Sequence, residues 1–317
     1  MKIALITPAA ANSRYGNRST AVRWAGLLRE LGHRVSVAQH WDGRDADLMI
    51  ALHARRSHQS IADFALAHPH RPLLLALTGT DLYRDIRTDT NAQESMALAT
   101  RMIVLQELGL RELSPVLRRK TDVVLQSCEP IARRPVLKDC FEIVLSGHLR
   151  EEKDPFRGAE ALALLPPASR IRITHIGGAR DPAYAREARR WMKREPRYRW
   201  LEELPRGRAL ATLARARALL ISSRMEGGAN VVSEALTAGV PVLASRIPGN
   251  VGLLGARYGG YFAMGDTKAL ARLMARTENS PEFLARLEDA CRQRRPLVSR
   301  TSERRSLRHV IAAACRK

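Results

Sequence analysis

A chain of 317 residues with a 45% hydrophobic fraction is long enough for two domains, each with its own core. It holds no run near the roughly 20 apolar residues of a membrane span, and Cys128, Cys140, Cys291 and Cys315 lack metal-site spacing, so reduced thiols in the cytoplasm are expected. The net charge of +21 suits anionic substrates drawn into a cleft; nucleic acid is disfavoured, because the arginines are scattered along helices and aromatics are only 5%.

In chain order, MKIALITP reads as a first strand over 2–7, too short for a signal peptide. Arg14, Gly16, Asn17, Arg18, Ser19 and Thr20 follow, with a helix expected at 19–31. Ser19 or Thr20 would cap that helix. Two arginines at a helix N-terminus oppose its dipole, and a nearby anion would offset them. Strands are expected at 34–38, 48–52, 73–78, 101–105 and 122–125, with a helix at 57–67. His53 and Arg55 follow the third strand. The fourth strand ends in TGTDLYRD, which puts Thr78, Gly79, Thr80 and Asp81 at a strand end; Asp81 serves equally as a helix cap.

The stretch CEPIARRPVLKD carries two prolines and mixed charge, as a linker should, and the boundary is set near Arg134. A second series of strands follows at 141–146, 171–176, 198–201, 218–222, 241–244 and 260–263, with helices at 184–194, 208–216 and 268–277. Alternation of this kind predicts an α/β protein with parallel sheets and helices on both faces. Its repetition predicts two Rossmann-like doubly wound domains facing a cleft: 1–134, then 135–300, with a C-terminal helix over 301–317.

Two segments of the second half carry chemistry. SGHLREEKDP follows its first strand; there Gly147, His148, Arg150 and Lys153 sit at a strand–helix junction, where a lysine adds charge to an anion site. SRMEGGANVVSEALTAGVPVLASRIPG reads as a strand end, a glycine loop, a helix through Ala238 and the next strand. Gly227 and Gly228 let the backbone approach an anion. Asn230 and Glu234 share a helix face, opposite the apolar face of Val231, Val232, Ala235 and Leu236. One carboxylate there can accept from both hydroxyls of a vicinal diol.

This last segment resembles the donor-binding motif of family-four glycosyltransferases with the GT-B fold. The resemblance implies that Glu234 holds the ribose diol of a nucleotide and Glu226 contacts the donor hexose. Gly227, Gly228, Ala229, Asn230 and Val231 would line the sugar and phosphates. SGHLREEK resembles the Gly-Arg-Leu-x-x-x-Lys element that binds the donor diphosphate. Gly147, Leu149 and Lys153 match it, and His148 stands where the arginine is usual; His148 takes another role or Arg150 supplies the charge. Thr78 replaces the family's usual histidine, and Asn250 and Gly252 replace its Gly-x-x-Glu pattern, whose loop amides would still form an anion nest. In the family a C-terminal helix packs back on the first domain.

SRYGNRSTAVRW, LTGTDLY, LSGHLREEKDP, EGGANVVSEAL and PGNVGLLG are together similar to the selenosugar-forming glycosyltransferases of selenoneine biosynthesis. That similarity implies transfer from UDP-N-acetylglucosamine or UDP-glucose to selenophosphate. Lys153, Glu226 and His148 would act catalytically, and Arg14, Gly16, Asn17, Arg18, Thr78, Gly79 and Asp81 would hold the acceptor. No cofactor or metal is implied, and an enzyme that makes selenophosphate would supply the acceptor. Two further readings stand: a family-four enzyme with a lipid or polysaccharide acceptor, and a basic nucleic-acid-binding protein on a Rossmann scaffold.

Overall fold

Runs of apolar residues without alternation, such as LMIAL and LLLAL, are what a strand covered on both faces requires. In the computed structural model, which describes residues 1–13 and 16–316, these two runs are buried along their whole length. The chain divides into two units. The first holds Met1–Ser127, Glu226–Ala229 and the chain from Arg300; the second holds Cys128–Met225 and Asn230–Ser299.

The first unit is built on six parallel strands: β1 (Lys2–Ile6), β2 (Arg34–Ala38), β3 (Leu48–Leu52), β4 (Leu73–Leu77), β5 (Arg101–Val104) and β6 (Thr121–Val123). Their spatial order is β2-β1-β3-β4-β5-β6, so the order reverses at β1. One face of the sheet packs on Trp24, Leu27 and Leu28 of helix Gly16–Glu30 and on Leu307, Val310 and Ile311 of helix Arg300–Ala314. The other face packs on Ile61, Phe64, Ala92 and Met96, from helices His58–Ala67 and Thr90–Leu98.

Helix Arg300–Ala314 is fastened by a buried charge. The Glu303 carboxylate, 1% exposed, accepts from Trp24 Nε1 (2.7 Å), Arg23 Nε (2.9 Å) and the Ser127 amide (2.9 Å), and from the Ser127 hydroxyl. A buried carboxylate is tolerable only when its lone pairs are filled in this way. Arg300 and Arg304 add ion pairs to Glu30.

The second unit holds β7 (Phe141–Ser146), β8 (Ile171–Ile176), β9 (Tyr198–Trp200), β10 (Ala218–Ile221), β11 (Val242–Ser245) and β12 (Tyr261–Phe262), all parallel. Their order is β12-β11-β10-β7-β8-β9, which reverses between β10 and β7. In such sheets ligands bind outside the carboxyl ends of the strands at that reversal.

Among the described residues, each of the twelve strands falls where an apolar run forecasts one. Helix forecasts fare less evenly. Helix Gly16–Glu30 starts ahead of Ser19, so Ser19 and Thr20 lie inside it, and the Thr20 hydroxyl donates back to the Gly16 carbonyl (3.0 Å) instead of capping. The Thr-, Asn- and Asp-rich stretch after Asp85 has weak helix propensity, yet Thr90–Leu98 is helical because Ala92 and Met96 enter the core. The linker stays with the second unit from Cys128, held by Cys128 N to Val298 O (3.2 Å) and by Arg134 N and Arg133 Nη1 to Ala214 O (3.0 and 2.7 Å). Among the described residues the cysteines form no disulfide, and no helix is long and apolar enough to cross a membrane.

Truncating Glu303 strands Arg23, Trp24 and the Ser127 amide. Glu303→Ala is expected to destabilise the first unit by about 3–5 kcal/mol. A melting temperature unchanged from the unsubstituted protein would show that the carboxylate is not the fastener.

Candidate active site

The reversal between β10 and β7 brings two loops out side by side. The loop after β7 begins at Gly147, whose amide donates to Ile176 O (2.9 Å). Behind it, His175 of β8 donates from Nε2 to the Gly147 carbonyl (3.1 Å), since a carbonyl only accepts. Its Nδ1 is then the acceptor for the Tyr198 hydroxyl (2.7 Å). Burial drives the His175 imidazole down to about 4, against the opposing pull of the Gly147 carbonyl, and pushes the Tyr198 phenol up. A neutral, fully buried histidine therefore sets the first turn of this loop.

The loop after β8 locks over it. Leu149 N donates to Gly178 O (3.0 Å) and Arg180 N to Leu149 O (3.3 Å). Gly177 has φ +152°, and a Cβ there would overlap the Gly147 carbonyl, so only glycine permits the crossing. Lys153 ends a short 3₁₀ turn, Glu151–Lys153, and a Cβ on Gly147 would stand 3.8 Å from its Cδ. His148 Nε2 lies 2.5 Å from Arg180 Nη2. Arg150 is aligned with Glu152 at 3.8 Å.

The loop after β10 is tied to the same place. The Ser222 hydroxyl reaches the carbonyls of Lys153 (3.1 Å) and Asp154 (2.9 Å), and Arg224 N donates to Glu152 O (2.9 Å). Helix Asn230–Ala238 follows. Asn230 and Glu234 are half-buried on one face, and Val231 joins them there; the expected apolar face keeps only Val232, Ala235 and Leu236. Glu234 is 14% exposed, with Oε1 3.2 Å from Nη1 of Arg206. After β11, Pro248–Leu254 is a helix opened by proline at its first position. The amides of Asn250 and Val251 are spent on Ile247 O (3.1 and 3.0 Å), so the expected anion nest does not form from them. Asn250 is buried and donates to Ser245 O (2.9 Å), bracing the end of β11.

Glu226–Ala229 cluster with the first unit. Glu226 is buried there, and a Cβ on Gly227 would overlap the Thr78 carbonyl oxygen. A Cβ on Gly228 would stand 2.7 Å from Leu105 Cβ. Both glycines are thus required by close approach.

The remaining forecast residues lie after β1, β3 and β4. Gly16, Asn17 and Arg18 form the first helical turn, at least partly exposed; Arg14 lies outside the described residues. Asp81 is 0% exposed, and its carboxylate accepts from the amides of Thr78 (2.9 Å), Gly79 (2.8 Å) and Ala54 (3.0 Å). It positions the loops after β3 and β4 and caps no helix through its side chain. His53, at φ 77°, contacts Thr80 Oγ1 (3.1 Å). Burial lowers its pKa although Asp81 and Asp85 oppose the shift. Arg55 donates to Asp85 (2.9 Å).

The sequence reading missed His175, Arg180, Arg206 and Ser222. His175 was the most findable, as a polar residue inside the run IRITHI. The others are placed only by folding.

The sequence model of the glycosyl transferases group 1 matches residues 131–294. Among solved structures, HepE of Anabaena, in complex with UDP and glucose, superposes with a TM-score of 0.78 at 16% identity, covering 99% of this chain and 100% of that one. Sucrose-phosphate synthase from Thermosynechococcus elongatus gives 0.76 at 18% identity, covering 98% and 99%. A UDP-forming trehalose-phosphate synthase from Burkholderia xenovorans gives 0.71 at 13%, covering 96% and 81%. No curated protein matches the chain. Two parallel-sheet α/β domains with these neighbours constitute a GT-B fold.

His175 makes acid stability a test of the site's scaffold. From pH 6.5 down to about 4 the unfolded chain takes up a proton that the folded one refuses, so stability falls with pH across that window. The slope from this group is at most about 1.4 kcal/mol per unit and vanishes above the window. Urea titrations should find that slope reduced in His175→Gln; an identical pH profile in both proteins would contradict the buried neutral imidazole.

Proposed function

The chain belongs to the group 1 glycosyl transferases, and we propose on that premise that it moves a hexosyl group from UDP-N-acetylglucosamine or UDP-glucose to selenophosphate. The anomeric C–O bond to UDP breaks and a C–Se bond forms. Water then cleaves the Se–P bond, leaving phosphate and a 1-seleno sugar. The observation that carries the donor half is the strand reversal itself. It sets Lys153, tied through Ser222, beside the loop that leads to Asn230 and Glu234. HepE, of the same fold, is known with UDP and glucose.

In this reading Glu234 exchanges its Arg206 contact for the ribose diol, and Glu226 meets the hexose. Lys153, His148 and the N-terminus of helix Asn230–Ala238 stabilise the leaving UDP, with Gly147, Arg150 and the 227–231 backbone around it. That charge makes a metal or other cofactor unnecessary. Arg14 and Arg18, with Gly16, Asn17, Thr78 and Gly79, take the acceptor phosphate. The selenium nucleophile is already anionic, so positioning and charge stabilisation dominate catalysis. The acceptor half rests on the likeness to selenosugar-forming enzymes. It implies a cytoplasmic source of selenophosphate.

The test is UDP release under anaerobic, reducing conditions with UDP-N-acetylglucosamine, with and without selenophosphate, and products read by mass. Selenophosphate-dependent release with a selenium-bearing sugar is expected. Release or transfer only with a lipid or polysaccharide acceptor would replace the acceptor. Glu234→Ala should raise the donor KM about 10–100-fold, the worth of lost charge-assisted hydrogen bonds, with a smaller change in kcat. An unchanged KM would remove Glu234 from the donor site.

A further inference from the structure

We propose that a trough beside helix Arg206–Arg215, within the second unit, binds an elongated organic dianion with one acidic group at each end of an apolar body. The inference does not depend on the UDP-sugar reading and gives the chain a second ligand.

The trough is a cavity of about 480 Å³, within the range of small-molecule sites. Its position follows from the sheet. Arg215 donates to Glu142 of β7 (2.9 and 3.2 Å), which puts helix Arg206–Arg215 on the sheet face that also carries Thr174 of β8. The chain reaches this helix from the end of β9 through Leu201 and Leu204, whose side chains line the trough at the start of the helix. Ala211 continues the apolar lining. Arg208 stands at that first end. Arg215 and Arg134 stand at the other, where the Arg134 amide is fixed on Ala214 O (3.0 Å). The seven helical residues from Arg208 to Arg215 put about 10 Å between the two ends. Arg206 turns to Glu234, and two residues of helix rotate Arg208 about 200° from it. The trough therefore lies on the flank of the helix away from Glu234.

Charge decides the ligand. Glu142, 2% exposed, neutralises Arg215 and accepts from the Thr174 hydroxyl as well (2.8 Å). Helix Arg206–Arg215 contains no acidic residue, and among the described residues the guanidiniums of Arg134 and Arg208 make no ion pair or hydrogen bond. Two uncompensated cations thus stand at opposite ends of an apolar lining. Each is a planar fork that suits a carboxylate or phosphate group. A monoanion leaves one fork unmatched, and a compact dianion leaves the leucines unmatched.

Calorimetry with decanedioate, decanoate and succinate separates the possibilities. Decanedioate carries a carboxylate at each end of its chain, decanoate carries one, and succinate lacks the apolar body. Decanedioate should bind at least about 10-fold more tightly than either. Arg134→Ala and Arg208→Ala should each weaken it about 10–100-fold. Both arginines are exposed, so each variant should keep the melting temperature of the unsubstituted protein, which certifies folding. Arg186→Ala, at an exposed arginine outside the trough, should leave binding unchanged and so separates the trough from the general positive charge of the chain. Equal binding of decanedioate and decanoate, equal weakening by Arg186→Ala and Arg208→Ala, or no saturable binding of decanedioate up to about 10 mM overturns the assignment. The donor reading stands in each of these cases.

Discussion

Parallel strands all finish at the same edge of their sheet, and nearly everything functional here follows from that constraint. In the second unit the order β12-β11-β10-β7-β8-β9 makes β7 and β10 neighbours although 71 residues lie between Ser146 and Ala218. Loops distant in sequence therefore meet at one edge: the Gly147–Lys153 turn, the Gly177–Arg180 turn and the approach to helix Asn230–Ala238. A reversal in strand order leaves a crevice at that edge because successive helices depart to opposite faces.

In each unit, the loops at the strand ends owe little of their shape to local propensity. Buried polar groups hold them. His175 carries the Gly147 carbonyl, Asp81 gathers the amides of Ala54, Thr78 and Gly79, and Glu303 fastens the chain where it leaves the first unit at Ser127 and soon after it returns. Each is a group that would be costly to bury unpaired. Each spends its capacity on backbone or on fixed side chains, so a single loop geometry satisfies it. Rigid support behind an exposed rim is what a site needs to hold charged ligands in register.

The strands were legible because both-sided burial writes itself as short apolar runs: IALIT, LMIAL, LLLAL, IVLS and ALLIS all became strands or their ends. The segment after β10 was legible because Glu226, Gly227, Gly228 and Glu234 combine charge with glycines that the backbone contacts demand. Helices Thr90–Leu98 and Pro248–Leu254 were not, since Thr, Asn, Asp and Gly weaken local propensity and tertiary packing restores it. Asp81 was half legible: its place at a strand end was plain, its burial was not. Arg180 and Arg206 carried no signal at all, because an arginine in a chain this rich in arginine acquires meaning only from what it touches. The selenophosphate reading draws on sequence likeness alone.

Amide hydrogen exchange with and without UDP tests the central claim most directly, because it locates the nucleotide without presuming the acceptor. The account predicts slowed exchange in 147–153, 177–180 and 226–234 and little change elsewhere. Protection confined to other segments, or none at saturating UDP, would contradict it.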